Sequence, residues 1–186
     1  FLEMHRELAA ETASIQHVVV VGAGAPEGVA RSEGVIRWGE LLDVGRASGV
    51  DPDVLDLLAP SPRNLAEIIF TSGTTGEPKG VMHTHDTLLS PALGMLRAQH
   101  AGEHDVIHMA STFAHQTGYL YGARMFIQCG GTGVFQDIWD PAKFVELIER
   151  EKVTVSFGAA PFLADLLNAP NLANHDISSF RAFGCF

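Results

Sequence analysis

The order of predicted strands and helices indicates an α/β protein with a mainly parallel sheet flanked by helices. Short apolar, β-branched runs alternate along the chain with amphipathic stretches, as in strand–helix–strand units. Crossovers in such units are right-handed. Apolar residues make up 46% of the 186 residues and charged residues 18%, which is the composition of a globular protein with a sizeable core.

The first part of the chain predicts a helix at 2–13 and a buried strand at 17–21. Gly22, Gly24 and Gly28 follow that strand, so an NAD site of a dehydrogenase-like protein has to be considered. The third glycine comes one place late, a proline interrupts the turn, and no long amphipathic helix follows. A strand end with a flexible turn is therefore favoured over dinucleotide binding.

Residues 36–42 are predicted to form a short strand that enters a helix, and residues 51–58 a short helix. Pro52 suits the first turn of that helix, because a proline at this position loses no helical hydrogen bond. The segment 60–63 holds two prolines and is predicted to be a surface connection within one domain.

The remainder of the chain predicts strands around a Gly-rich loop, and then strands alternating with helices. Asp86 is expected to cap a helix that runs to about His100, although Pro91 falls within its first turns. The other predicted elements are strands at 66–70, 81–84, 105–110, 132–136, 153–157 and 180–186, and helices at 119–128, 141–151 and 161–168.

The loop at 71–80 has the composition of an anion-binding site. Its ten residues include three glycines, one proline and four hydroxyl residues. Glycines allow backbone N–H groups to approach a ligand closely, and consecutive N–H groups in a tight turn form an anion-binding concavity. The hydroxyls of Ser72, Thr74 and Thr75 add donors, and Lys79 adds a mobile positive charge. The predicted ligand is a polyphosphate.

Two other interpretations of this loop are less favoured. A Walker A loop requires Gly-x-x-x-x-Gly-Lys followed by Ser or Thr and then a helix. Here Pro78 precedes Lys79, Gly80 follows it, and the next residues have an extended pattern. A solvent-exposed hairpin connection would need two to five residues rather than ten.

The sequence Thr-Ser-Gly-Thr-Thr-Gly-Glu-Pro-Lys-Gly, followed by Val-Met-His-Thr-His, resembles the phosphate-binding signature of the adenylate-forming superfamily. That superfamily includes acyl-CoA synthetases, nonribosomal-peptide adenylation domains and luciferases. All ten positions match, with Glu77 at the variable one. The resemblance implies that Mg²⁺ is coordinated with help from Thr71. It also implies that the ATP phosphates are bound by Thr71, Ser72, Gly73, Thr74, Thr75, Gly76 and Lys79.

A second motif of this family resembles the segment 111–118. The motif consists of an aromatic residue, a histidine, two variable positions and a glycine near the acyl pocket; His115 and Gly118 match it. Ala114 stands where the aromatic residue is usual, and Phe113 comes one place early. The resemblance implies that Phe113, His115 and Gly118 line the acyl or adenylate pocket. The alternative for the histidine is that it caps the helix that follows.

The resemblance implies a carboxylic acid–CoA ligase. The sequence of the second motif is similar to that of ligases for medium-chain or cyclic carboxylic acids. The carboxylate substrate attacks the α-phosphorus of ATP to give acyl-AMP and pyrophosphate, and CoA then accepts the acyl group. No general base is assigned, because a carboxylate is already deprotonated at pH 7. The alternative is a nucleotide-binding module of a degenerate or regulatory homologue without ligase activity.

Residues 1–186 are expected to be a partial AMP-binding domain that is truncated at both ends. The chain begins without an initiator methionine and stops in an apolar strand. The adenine-binding segment and the small C-terminal domain, with its adenylation lysine, are expected to lie outside the chain. This segment alone is therefore expected to be catalytically inactive.

Charge and cysteine content limit the partners. A net charge of −10 without a Lys/Arg cluster argues against nucleic-acid binding. No signal peptide and no run of 18 apolar residues is seen. Cys129 and Cys185 show neither a disulfide framework nor metal spacing, so free thiols in a reducing, cytoplasmic compartment are expected. The oligomeric state is not predicted.

The chain contains nine histidines, so their spacing has to be compared with that of zinc ligands. His83 and His85 would face the same side of a strand, but no third ligand follows at a telling spacing. His100, His104 and His108 lie four residues apart, but Ala-Gly interrupts any helix that would align them. Solvated or hydrogen-bonded imidazoles are favoured.

Overall fold

A computed structural model of the chain describes residues 11, 14, 17–21, 34–51, 53–71 and 76–186. The glycine turn at 22–28 lies outside the described residues, and so does the predicted helix at 2–13 except for Glu11. The chain divides into two compact units, residues 1–59 and residues 60–186. Within the described residues no helix combines the length and the apolar character needed to cross a bilayer.

The described residues of the first unit include two short parallel strands and two helices that follow them. Strand β1 (Val18–Val20) pairs with β2 (Val35–Arg37), and helix α1 (Trp38–Ala47) follows β2 directly. This confirms the predicted strand that enters a helix. Helix α2 (Asp53–Leu57) is shorter than the predicted 51–58.

The second unit begins with an antiparallel hairpin. Strand β3 (Leu65–Thr71) pairs with β4 (Lys79–Thr84), and helix α3 (His85–Ala98) starts at the next residue. The sequence predicts a mainly parallel sheet without assigning these two strands to it, and they form a separate two-stranded antiparallel sheet. An alternating pattern shows that residues are extended, but it does not show which strand they pair with.

The cap of α3 differs from the prediction. The Thr84 hydroxyl accepts a hydrogen bond from the Thr87 N–H at 3.3 Å, and the Thr84 N–H donates to the Thr87 hydroxyl at 2.9 Å. Asp86 lies inside the first turn, so its assignment as the cap was wrong. Pro91 lies within the helix, which continues past it. His85 begins the helix, so it does not share a strand face with His83.

Four parallel strands form the main sheet in the order β6-β5-β7-β8, which confirms the α/β fold class. The strands are β5 (Val106–Met109), β6 (Thr132–Phe135), β7 (Val155–Gly158) and β8 (Ala182–Cys185). All three pairings are parallel. The first residue of each of these strands lies within two positions of its predicted first residue.

Helices cover both faces of this sheet. On β5, Ile107 and Met109 face a core that includes α3, whereas His108 between them faces α5 (Pro141–Glu151). Such alternation is expected of neighbouring residues on a strand. The first core comprises Leu88, Ala92, Leu96, Ile107, Met109, Leu120, Met125, Val155 and Phe157. The second comprises Phe144, Val145, Ile148, Val153, Leu166 and Ala169.

The helix predicted at 119–128 consists of two parts. A π-helix (Thr117–Arg124) continues directly into α4 (Met125–Cys129). The π-helical geometry was not predicted, because the apolar pattern marks a helix without fixing its hydrogen-bond spacing. The predicted helix at 141–151 is confirmed by α5, and that at 161–168 by α6 (Ala160–Leu167). A short 3₁₀ helix (Leu172–Asn174) follows α6.

Candidate functional site

The Gly-rich loop connects the two strands of the hairpin. Thr71 is the last residue of β3 and pairs with Lys79, the first residue of β4. The Thr71 hydroxyl lies 3.4 Å from the Lys79 carbonyl oxygen. Both residues and Gly76 are exposed, so a ligand can reach them. The loop residues Ser72, Gly73, Thr74 and Thr75 lie outside the described residues.

The loop is therefore a hairpin connection in topology, which is the arrangement that the length argument disfavoured. The connection runs over seven residues, 72–78, and a hairpin turn needs only two to five. The additional residues are not required to reverse the chain, and they leave room for a ligand-binding loop. The strand pairing holds Thr71 and Lys79 on either side of its base.

The second motif follows the carboxyl end of β5. His115 is exposed, and its Nδ1 accepts a hydrogen bond from the Thr117 N–H at 3.2 Å. The backbone N–H of His115 donates a hydrogen bond to the Thr112 carbonyl oxygen at 3.1 Å. The imidazole thus caps the first turn of the π-helix, as the alternative interpretation held. With Nδ1 accepting, the proton of the neutral ring lies on Nε2.

Gly118 has a packing role. It is buried, and a Cβ atom built on it would lie 2.1 Å from the Thr112 carbonyl oxygen and 2.5 Å from that of Ser111. Only a residue without a side chain lets the π-helix approach the segment after β5 this closely. The motif glycine is therefore explained by contact with the backbone beside it.

A cavity of about 470 Å³ opens at the carboxyl ends of β5 and β6. Its volume falls in the range of small-molecule sites, and the carboxyl ends of parallel strands are where open α/β sheets bind ligands. Phe113 lines this cavity and packs edge-to-face on Phe135 with ring centroids 5.2 Å apart. The full lining is Met109, Ala110, Ser111, Thr112, Phe113, Phe135, Gln136 and Asp137.

Of the three residues expected in the acyl pocket, only Phe113 lines the cavity; His115 and Gly118 do not. The lining residues Gln136 and Asp137 follow β6 and were not predicted to have a role. Their position just after a strand that neighbours β5 is the signal that could have identified them. Strand order is needed to use that signal, and the sequence did not provide it.

His108 is buried, and its hydrogen bonds form a polar chain that includes Gln136, one of the residues lining the cavity. Its Nδ1 lies 2.8 Å from the Ser156 hydroxyl, its Nε2 lies 3.2 Å from Gln136 Oε1, and its ring stacks on Phe144. The Gln136 amide nitrogen donates to the Asp140 carbonyl at 2.9 Å, so the Gln136 oxygen faces the histidine. His108 Nε2 therefore carries the proton, and Ser156 donates to Nδ1.

The zinc alternative is not supported by these positions. His108 is in the core, and the side chain of His104 is 94% exposed. Within the part of the chain that the structure describes, no three His, Cys, Asp or Glu side chains are grouped closely enough to hold a metal ion.

A hydrogen bond joins the two motif regions. Gln116, at one of the variable positions of the second motif, donates from Nε2 to Glu67 Oε2 at 3.1 Å. Glu67 lies on β3, the strand that leads into the Gly-rich loop. The structure thus brings together two segments that are separated by 49 residues in the sequence.

Comparison with known proteins gives consistent matches. The family model described as AMP-binding enzyme matches residues 2–186. The medium-chain fatty-acid–CoA ligase of Escherichia coli (strain K12) is 37% identical over 121 residues, which are 65% of this chain and 21% of that protein. The 3-[(3aS,4S,7aS)-7a-methyl-1,5-dioxo-octahydro-1H-inden-4-yl]propanoyl:CoA ligase of Mycobacterium tuberculosis (strain ATCC 25618 / H37Rv) is 30% identical over 168 residues, 90% of this chain and 31% of that protein.

Solved structures show the same fold. The anthranilate CoA ligase AuaEII in complex with anthranoyl-AMP has a TM-score of 0.71 at 22% identity, covering 98% of this chain and 34% of that one. The apo structure of MatB from Rhodopseudomonas palustris has a TM-score of 0.68 at 25% identity, covering 97% of this chain and 36% of that one. The chain therefore spans 21% to 36% of the length of these relatives.

Proposed function

The chain belongs to the AMP-binding enzyme family, and from that premise we propose that it supplies the ATP phosphate-binding part of a carboxylic acid–CoA ligase. The observation that carries the proposal is the hairpin loop, in which Thr71 and Lys79 face each other across the base of a glycine- and hydroxyl-rich connection. Two of the relatives are named as CoA ligases of carboxylic acids, which supports the choice of reaction.

In the proposed reaction, a carboxylate oxygen of the acid attacks the α-phosphorus of ATP. The bond from that phosphorus to the bridging oxygen breaks, and pyrophosphate leaves with the electron pair. The sulfur of CoA, as its thiolate, then attacks the acyl carbonyl carbon, and AMP leaves. The first step brings an anion towards a polyanion, so the protein has to offset charge and fix the geometry.

The loop residues offset this charge. The backbone N–H groups at Gly73 and Gly76, with the hydroxyls of Ser72, Thr74 and Thr75, would donate hydrogen bonds to the β- and γ-phosphates. Lys79 would add a positive charge at the base of the loop, where β4 fixes its backbone. Phe113 and His115 would lie on the acid side, next to the cavity and to the first turn of the π-helix.

The residues present suit Mg²⁺ bound mainly through phosphate. Mg²⁺ commonly keeps waters and takes only one or two protein oxygens beside substrate phosphates. The Thr71 hydroxyl is exposed, and its 3.4 Å contact with the Lys79 carbonyl is a long hydrogen bond, so it can be exchanged for a ligand. Bound there, Mg²⁺ would offset phosphate charge. Cys129 and Cys185 are free thiols, which suits the cytoplasmic location that we propose.

The experiment is ATP–pyrophosphate exchange by the full protein in which this chain occurs, with a panel of medium-chain, cyclic and aromatic acids. The proposal predicts exchange that depends on at least one acid and on Mg²⁺. ATP binding without exchange for any acid would contradict the ligase assignment and leave a nucleotide-binding module.

A further inference from the structure

The hydrogen bond from Gln116 to Glu67 connects the two halves of the proposed site. Both side chains are half-buried, and the bond joins β3 of the phosphate hairpin to the segment that contains His115. Among the described residues it is the one hydrogen bond between the hairpin strands and any residue after α3. The other hydrogen bonds that leave the hairpin strands are local and join His83 and Thr84 to Thr87 in the first turn of α3.

Within this chain, the hairpin packs through the face that carries Glu67 and Ile69. Glu67 and Ile69 are half-buried, whereas Phe70 is 70% exposed and its near neighbour on the partner strand, Met82, is 71% exposed. A two-stranded sheet resists tilting less than a strand inside a larger sheet does. A directional bond near the middle of β3 therefore matters for the orientation of the hairpin.

Glu67 lies far enough from the loop that a small rotation of the hairpin at Glu67 displaces the start of the loop noticeably. Glu67 lies four residues before Thr71, which is about 13 Å along an extended strand. A tilt of about 10° at Glu67 would move the start of the loop by about 2 Å over that length. Displacements of this order are large enough to disturb the alignment of two reacting groups.

The charge of Glu67 also fixes the orientation of the amide. A carboxylate accepts hydrogen bonds only, so the Gln116 amide must present its nitrogen to it. The amide oxygen of Gln116 is buried and has no hydrogen-bond partner among the described residues. Burying an unpaired carbonyl costs free energy, and the charge-assisted bond to Glu67 offsets that cost.

We propose that Glu67 and Gln116 are positioning residues that hold the phosphate loop in register with the His115 segment, so that ATP and the acid are bound cooperatively. The functional part of this inference rests on the proposed ligase function. Neither residue is expected to touch ATP or the acid. Their effect is to keep a fixed distance between the phosphate-binding loop and the acid-binding segment around His115.

The geometric part can be tested without any ligand. Nitroxide labels at Glu77→Cys and Gln128→Cys, in a protein with Cys129→Ser and Cys185→Ser, report the distance from the hairpin to α4 by pulsed electron paramagnetic resonance. We expect one narrow distribution that Glu67→Ala and Gln116→Ala each broaden. The conservative Glu67→Gln keeps an acceptor, so its distance distribution should stay narrow. The exchanged pair Glu67→Gln with Gln116→Glu keeps one amide and one carboxylate, so its distribution should stay narrow as well.

The control is Glu103→Ala, which removes an exposed carboxylate from the same unit and should leave the distribution unchanged. A Glu67→Ala distribution as narrow as that of the wild type would overturn the geometric part.

The functional readout is ATP affinity measured alone and with a saturating acid. We expect the acid to raise the ATP affinity of the wild type, and Glu67→Ala to reduce that enhancement at least about fivefold while changing the affinity for ATP alone less than about twofold. A wild type that binds no ATP contradicts the proposed function. A wild type that binds ATP, with Glu67→Ala indistinguishable from it or with no effect of acid on either, contradicts this inference and leaves ATP binding intact.

Discussion

His108 is held neutral in the interior of the sheet. Burial lowers its pKa from the ordinary 6.5 to about 4, and the hydrogen bond with Gln136 opposes only part of that shift. The neutral ring donates to the Gln136 amide oxygen and accepts from Ser156, so one side chain links β5, β7 and the loop after β6. This links one wall of the cavity to the sheet core.

The depressed pKa of His108 predicts a loss of stability in acid. Below pH 6.5 the His108 imidazole becomes protonated in the unfolded chain, whereas in the folded chain it stays neutral down to about pH 4. The contribution of neutral His108 to the free energy of unfolding is therefore complete above pH 6.5, and it falls by about 3 kcal/mol as the pH drops to 4. Urea unfolding of the wild type and of His108→Leu should show this difference in pH dependence, with the variant less stable by about 2 kcal/mol at pH 7 because Gln136 and Ser156 lose their partner.

The matched control is His104→Leu, which removes an imidazole whose side chain is 94% exposed and should keep the pH dependence of the wild type. Identical pH slopes for His108→Leu and the wild type would show that His108 is not responsible for the acid sensitivity.

Single residues differed in how much of their role the sequence revealed. The glycines, hydroxyls and lysine of the loop indicated phosphate binding because each residue type has a direct use there. His108 looked like other histidines, because its burial depends on strand neighbours that are 28 and 48 residues away. The bond from Gln116 to Glu67 was hidden for the same reason.

At the level of elements, the π-helix is fitted against the segment after β5 through Gly118. We predict that Gly118→Ala destabilises the protein by about 2 kcal/mol, because the new methyl group would collide with backbone that cannot rotate away. Gly94→Ala is the matched control on α3, where a Cβ meets nothing within 4 Å and should stabilise by roughly 0.5 to 1 kcal/mol. Chemical denaturation measures both. Equal effects of the two changes would contradict this account of the motif glycine.

Element types were well predicted, and their partners were not. The main-sheet strands and helix α5 match the expected segments because apolar periodicity reports local conformation directly. The hairpin pairing, the Thr84 cap and the π-helix depend on hydrogen-bond partners that periodicity does not specify. Both Thr84 and Asp86 are good cap residues, and the end of β4 decided between them.

For the whole molecule, the second unit brings the β3–β4 hairpin and the carboxyl end of the parallel sheet into one compact unit. The family signature predicted the ligand class, and the fold shows how the signature is supported: a hairpin holds the loop, and the segment after β5 holds the second motif. The acid itself is not specified by these residues. The cavity at the ends of β5 and β6 combines Met109, Phe113 and Phe135 with polar neighbours, which suits many acids.

Equilibrium binding of ATP with Mg²⁺ to the wild type and to Lys79→Ala tests the central claim most directly. Lys143→Ala is the control, because it removes a lysine from the exposed surface of α5. The account predicts that Lys79→Ala weakens ATP binding at least about tenfold, the loss expected for a charged contact with phosphate, while Lys143→Ala stays within about twofold of the wild type. Unchanged ATP affinity in a folded Lys79→Ala protein would contradict it.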